Sequence, residues 1–399
     1  MTDTTSKRPR NDAVDLLRGL VMVIMALDHV RDFFTDHPGD PTTMLGTTTP
    51  AMFLTRWVTH FCAPVFVFLA GAGVFLAGAR GKSKPELARF LFSRGLWLVV
   101  VELTLVRAGW FFDVSYAFAV LQVIWAIGVS MIVLAALVFL PLRAVGAFGV
   151  ALVVGHDLLD GVHAADLGSA SWLWSLLHER GALHPFGRTL LVIYPLVPWV
   201  GVMAAGYAFG SLLMRPADER RRALLRLGAA LTLAFVVVRA VNRYGDPLPW
   251  TSQRSSLFTA FSFLACTKYP PSLDYLLMTL GPAIAFLGWA DGRLAAAGET
   301  PRWARPFVTF GRVPFFYYVL HVPLLHGLAV ALGVAVWGSS AASPIAHKVM
   351  LPDAQAARYG FSLPVVYAAW IVVVLLLYPA CRWFAGVKAR HRSAWLSYL

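Results

Sequence analysis

Residues 12–34 form an apolar stretch that also carries Asp15, Arg18, Asp28, His29, Arg31 and Asp32. As a helix it rises about 1.5 Å per residue and can cross a hydrocarbon core of about 30 Å. At 100° per residue Arg18 and His29 fall within about 20° of one another. Asp15, Met22 and Met25 share that stripe, Asp32 lies close to it, and Asp28 sits off it beside His29. An ionisable group near the centre of a spanning helix costs about 3 kcal/mol. Such a helix is expected to face protein or a water-filled cavity rather than lipid.

Similar apolar runs recur along the chain. Bounded by Pro, Gly and charge, they predict ten spans over 13–34, 57–79, 91–109, 117–140, 144–159, 189–211, 223–241, 272–290, 307–335 and 363–385. The ninth is long, holds Pro314 and Pro323, and is expected to kink or split. Residues 255–266 are too short to span and are expected to be re-entrant or interfacial. The fold class is therefore all-α, a polytopic membrane helical bundle. The 58% hydrophobic content and 14% charged residues agree with it.

The net charge of +13 would suggest nucleic acid in a soluble protein. Here the basic residues lie in short loops between apolar runs, and no separate basic domain exists, so nucleic-acid binding is not expected. With the N-terminus inside, the inner segments hold roughly twice as many Lys and Arg as the outer ones. That asymmetry predicts an N-in, C-in topology in the cytoplasmic membrane, and the first span is read as uncleaved. The expected organisation is a cytoplasmic tail over 1–12, a membrane domain over 13–385 and a second tail over 386–399. Cys62, Cys266 and Cys381 have no ligand-like spacing, so neither a disulfide framework nor a thiolate metal site is suggested.

Depth places the candidate chemistry. His29 lies about 9 Å beyond the middle of its span, toward the outer face. Arg56 and His60 share a helix face near the same surface. Tyr194 and Trp199 enter the sixth span there, Lys268 and Tyr269 precede the eighth, and His321 and His326 lie on the ninth. Each has a bland reading. Arg56 could be a snorkelling anchor, Tyr194, Trp199 and Tyr269 belt aromatics, His326 a satisfied donor, and Glu102 and Arg107 mutual charge compensation. A proton-coupled transporter or flippase could use His29 and its neighbouring Asp residues as a relay. A scaffold or sensor without chemistry is another reading. A zinc site of His29, His60 and His321 is feasible, but no spacing calls for it, and no metal is expected.

The runs DLLRGLVMVIMALDHVRDFF, RWVTHFCAPVFVFLAGAG, YPLVPWVGVMAAGYAFG, TKYPPSLDYLLMTLG, GRVPFFYYVLHVPLLH and the terminal AWLSYL resemble a bacterial branch of the heparan-alpha-glucosaminide N-acetyltransferase-like family. The resemblance implies a membrane acyltransferase. It would move an acetyl or other acyl group from acyl-CoA to a sugar amine or hydroxyl, an envelope glycan among them, on the outer side. In the family a histidine just before the second span is catalytic. Here Pro50 stands at that place, and His29 stands where the lysosomal enzyme has Asn. Acyl transfer of the kind the resemblance implies needs a base and donors for an oxyanion. A neutral His29 oriented by Asp28 or Asp32 fits the base, with His37 and His60 as substitutes. Arg56, Lys268 or Tyr269 fits the donors. Polyanionic acyl-CoA would favour basic groups on the inner side, such as Arg18, Lys82, Lys84 or Arg312. The expected site is His29, Asp28 and His60 for catalysis. Arg18, Arg56, Lys268, Tyr269, Tyr194, Trp199 and His321 are expected to bind substrate. The expected partners are the bilayer, acyl-CoA and a glycan acceptor, and a homodimer is compatible with them.

Overall fold

The computed structural model describes residues 11–37, 39–350, 353–391, 393 and 396. The basic tail at Lys7, Arg8 and Arg10, Arg392 and all of AWLSYL but Leu396 lie outside the described residues. In chain order the helices are α1 (Asp12–Phe34), α2 (Pro50–Thr59), α3 (Cys62–Gly78), α4 (Lys84–Val101), α5 (Arg107–Phe111), α6 (Val123–Leu137), α7 (Leu142–Gly155), α8 (Ser171–Leu177) and α9 (Leu196–Phe209). They continue as α10 (Ala217–Val241), α11 (Ser256–Leu264), α12 (Leu273–Ala297), α13 (Arg305–Arg312), α14 (Pro314–Trp337), α15 (Ala342–Ala346), α16 (Asp353–Arg358) and α17 (Leu363–Arg390). Among the described residues seven stretches are long and apolar enough to cross a membrane: Pro50–Gly78, Leu142–Leu159, Leu196–Met214, Ala217–Val241, Leu273–Ala297, Pro314–Trp337 and Leu363–Arg390. Of the other three expected spans, α6 has only 15 residues, and α1 and α4 have their charges spread along the helix, so that neither offers an 18-residue stretch with two or fewer.

Local chemistry sets several boundaries. Asn11 caps α1 by accepting from the Ala13 amide at 3.0 Å, and Ser272 caps α12 through the Tyr275 amide at 3.1 Å. The expected ninth span splits at Val313, because Pro314 cannot continue the backbone ladder of α13 and instead opens α14. The expected second span begins earlier, at Pro50, and breaks at His60 and Phe61 between α2 and α3. The purely helical expectation needs one correction. β1 (Phe118–Leu121), β2 (Gly181–Leu183) and β3 (Thr189–Val192) form a small sheet in the order β1-β3-β2. β1 runs parallel to β3, with Phe118 opposite Thr189, and β2 runs antiparallel to it. Both β1 and β3 were expected to begin spans. They are short apolar runs that periodicity cannot separate from helix.

α1 is the centre of the molecule. It packs against α2, α3, α12, α13, α14 and α17, and most of its residues are buried, Asp15 and Asp28 included. Its crossing with α13 is a backbone contact. A Cβ on Gly19 would stand 1.7 Å from the Phe307 carbonyl oxygen, and one on Gly311 1.8 Å from that of Asp15. Only glycine permits both approaches. Arg18 reaches across the same crossing and donates to the Gly311 carbonyl at 3.3 Å.

Candidate active site

At the His29 end of α1 the charged side chains satisfy one another. Arg56 Nη1 donates to both Asp28 oxygens, at 2.6 and 2.8 Å. Its Nε and Nη2 donate to Asp40 Oδ2 at 2.9 and 2.8 Å. Lys268 Nζ stands 3.6 Å from Asp28, and Arg31 pairs with Asp32 at 2.7 Å. Burial pushes the Asp40 carboxyl up, but the Arg56 guanidinium outweighs it and holds the group well below the usual carboxylate range. A buried guanidinium with two carboxylates is charge-balanced and geometrically fixed. The snorkelling alternative for Arg56 does not apply, since its side chain is only 6% exposed.

His29 has a different partner from the expected one. It forms no hydrogen bond with Asp28 or Asp32. Its Nδ1 lies 2.7 Å from His321 Nε2. His321 Nδ1 lies 2.6 Å from the Tyr318 carbonyl oxygen, which can only accept. His321 therefore carries its proton on Nδ1 and presents a lone pair on Nε2. His29 must then donate from Nδ1, which leaves its own Nε2 as the acceptor. His321 is fully buried and His29 is half-buried. The two rings stack with centroids 4.9 Å apart, and Trp110 meets His29 edge-on at 4.9 Å. Three buried donors around this pair, Trp110 Nε1, Tyr317 Oη and Tyr318 Oη, have no protein hydrogen-bond partner. Sequence reasoning missed all three. The FFYY run at 315–318 was the available signal for the tyrosines.

The other expected residues divide. Tyr269 has Lys268 Nζ over its ring at 5.1 Å and Tyr194 edge-on at 5.2 Å, and Tyr194 lies 5.2 Å from the buried Trp199. These four line one side of the Asp28 cluster through Lys268. His60 is fully buried at the α2–α3 break, and neither ring nitrogen finds a partner. It meets Tyr275 at 5.4 Å, away from the His29–His321 pair, so the three do not make a His₃ site. His37 is exposed and bonded to Asp36 at 2.5 Å. His326 Nδ1 donates to the Gly109 carbonyl at 2.9 Å, while its buried Nε2 has no hydrogen-bond partner, so the satisfied-donor reading holds for one nitrogen only. Glu102 and Arg107 do not pair. Glu102 accepts from the Trp125 amide at the start of α6, where a carboxylate suits the helix dipole. Arg107 binds Asp113 at 2.6 Å, and together with the Ser115 amide it draws that carboxyl down to about 2.

Arg18 belongs to the opposite end of α1. There it lines a cavity of about 330 Å³ with Arg94, Arg312 and Lys388. The remaining wall is largely apolar and reaches Met22, Val123, Ile124 and Tyr318. The volume is that of a small-molecule site. Tyr318 therefore lines the cavity and also holds His321 through its carbonyl. The expected anion ligands Lys82 and Lys84 are not part of this wall. Lys84 donates to the Phe139 carbonyl at 3.0 Å and Lys82 lies over Phe90. Arg94 and Lys388 take their place, two residues that depth reasoning alone could have considered.

Residues 10–244 match the family model described as heparan-alpha-glucosaminide N-acetyltransferase, catalytic. The matched stretch holds Arg18, Asp28, His29, Arg56, His60, Tyr194 and Trp199, whereas Lys268, Tyr269 and His321 lie beyond it. No curated protein matches the chain.

Proposed function

The chain belongs to the heparan-alpha-glucosaminide N-acetyltransferase catalytic family, and on that premise we propose that it moves an acyl group from acyl-CoA to a sugar amine or hydroxyl across the bacterial inner membrane. The observation that carries this reading is the chain from the basic-mouthed cavity through Tyr318 to His321 and His29. The CoA phosphates bind at Arg18, Arg94, Arg312 and Lys388, and the pantetheine arm follows the apolar wall toward Tyr318. Arg18 and His29 are separated by about 16 Å along the helix axis. The acceptor approaches from the His29 end, beside Lys268 and Tyr269.

His29 Nε2 takes the proton of the acceptor hydroxyl or amine as that oxygen or nitrogen attacks the thioester carbon. The new C–O or C–N bond forms, the C–S bond breaks, and the proton passes to the departing CoA sulfur. His321 fixes the tautomer that leaves Nε2 basic and shares the imidazolium charge through the Nδ1 hydrogen bond. Tyr318 Oη and Trp110 Nε1 are suitably unpaired donors for the developing oxyanion. The Asp28–Arg56–Lys268 cluster orients the acceptor, with Tyr194, Tyr269 and Trp199 as its apolar wall. His60 is kept as a support for that cluster. We place both ends inside, with ten spans as expected from the sequence, so that the basic cavity opens to the cytoplasm. A reporter active only outside the cytoplasm, fused after Leu399, should stay silent. Signal from that fusion would overturn the orientation.

The decisive experiment uses purified protein in sealed vesicles, labelled acetyl-CoA and a glucosamine-terminated acceptor. Transfer of label supports the enzyme reading. Counterflow of an unmodified solute with no transfer would favour the proton-coupled transporter.

A further inference from the structure

The expectation of no metal rested on cysteine spacing and on the membrane histidines. A different cluster lies at the His29 end of the bundle, outside the residues used above. His156 opens the turn after α7, Asp160 closes it, and His178 follows α8. One donor atom from each lies within 4.8 Å of the others. His178 Nε2 is 3.0 Å from Asp160 Oδ1, and the two imidazoles are 5.7 Å apart between centroids. Both histidines are only 2% exposed.

Their hydrogen bonding is incomplete in a way that points inward. Neither ring nitrogen of His156 finds a hydrogen-bond partner, and Nδ1 of His178 finds none. Asp157 Oδ1 lies 3.1 Å from His156 Nδ1 without completing a hydrogen bond, while Oδ2 accepts from the Leu273 amide at 3.1 Å. Buried polar atoms are normally satisfied, and three unpartnered ring nitrogens on two imidazoles beside a carboxylate call for an explanation. Two neutral nitrogens and one carboxylate oxygen are the donors of a zinc-class ion. Bonds of about 2.0 Å in a tetrahedron set donor atoms about 3.3 Å apart. The His178–Asp160 edge, at 3.0 Å, is already close to that distance, and the His156 donor lies within 4.8 Å of both.

We propose that His156, Asp160 and His178 bind one divalent transition-metal ion, Zn²⁺ in the first instance, as a clamp holding the α8 segment onto the start of α12. The ligands come from the α7 turn and from α8. Asp157 extends the link to α12 through the Leu273 amide. Arg180, two residues after His178, lies 6.0 Å over the Tyr269 ring, so the clamp also borders the segment that carries Lys268. The site does not depend on the acyl-transfer reading.

The test uses the full chain in detergent, stripped with a chelator and then titrated with Zn²⁺ or Co²⁺ alone. One ion per chain is expected, with the visible absorption of a low-symmetry Co²⁺ site. His156→Asn and His178→Asn should each abolish uptake, while His163→Ala, an exposed neighbour, should leave it unchanged. Asp160→Asn, at a partly exposed carboxylate, should weaken Zn²⁺ at least tenfold in protein that still elutes as wild type. Zn²⁺ should also slow proteolysis between residues 160 and 190 several-fold. Stripped wild type that takes up no Zn²⁺, or uptake that survives both histidine substitutions, overturns the site. Unchanged affinity in Asp160→Asn removes that ligand, and unchanged proteolysis overturns the clamp.

Discussion

Both ends of α1 pair their charges, Arg18 with Asp15 at 3.2 Å and Arg312 with Asp12 at 3.1 Å at one, Arg56 with Asp28 and Asp40 at the other, but they do so in different surroundings. Around Asp28 every strong charge is engaged by another, Arg56 by two carboxylates and Asp28 by Arg56 and Lys268. Around Arg18 four basic side chains border a cavity. A charge-balanced network fixes geometry and suits a neutral ligand better than an anion. A basic rim beside a cavity is suited to attract an anion. The proposed catalytic pair borders the first of these: His321 is held by the Tyr318 carbonyl, and His29 Nδ1 is spent on His321.

The sharpest way to break that comparison is at the proposed catalytic pair. His29→Ala should reduce transfer by about 10² to 10⁴ in folded, inserted protein, the range for a lost general base. His37→Ala should leave transfer unchanged, and His60→Ala should act mainly on acceptor KM. Turnover that survives His29→Ala but not His60→Ala or His37→Ala would move the base to the other histidine. Next in size is the closed end. Arg56→Met strands Asp28 and Asp40 and should destabilise the protein by about 3–5 kcal/mol. The same substitution made together with Asp28→Asn should cost less, and thermal unfolding in detergent compares the two.

The basic end should respond in a different variable. Arg18→Ala should raise KM for acetyl-CoA by about tenfold, equivalent to about 1.4 kcal/mol for a charge-assisted contact, with kcat little changed. An unaltered KM would remove Arg18 from the donor path. The smallest effect is expected from Lys82→Ala and Lys84→Ala, within about twofold on KM, because a single surface contact of this kind is worth about 0–1 kcal/mol. A larger effect would extend the donor site to the α3–α4 loop.

Periodicity made the α1 stripe legible, since Asp15, Arg18, Met22 and His29 are separated by turns of one helix. Depth reasoning correctly gathered Asp28, Arg56, Lys268 and Tyr269 at one level, where the structure joins the first three directly. It could not choose partners. His29 and His321 are 292 positions apart, and which carboxylate or imidazole meets His29 depends on the rotation of α14 against α1. A nearby Asp in sequence was therefore a poor guide, because adjacent helix positions point about 100° apart. The cavity was half legible: Arg18, Arg312, Arg94 and Lys388 all lie on the predicted inner side, but which of the inner basic residues line it, and that Tyr318 does, depends on how the helices are placed. The small sheet escaped because four apolar residues before a helix read as more helix.

The glycine crossing of α1 with α13 has a consequence for synthesis. Arg18 is bonded to a carbonyl 293 residues further along the chain. α12, α13, α14 and α17, which bury much of α1, all follow residue 244, beyond the stretch matched to the family. At about 5–20 residues per second, the ribosome needs on the order of 15–60 s to supply that partner. Through that interval α1 waits with part of its partners missing: Arg56 of α2 can already meet Asp28, but Lys268 and the Gly311 carbonyl have not been made. A product truncated after the family-matched stretch would remain at that stage, with the face of α1 that α12, α13, α14 and α17 cover left open to membrane quality control.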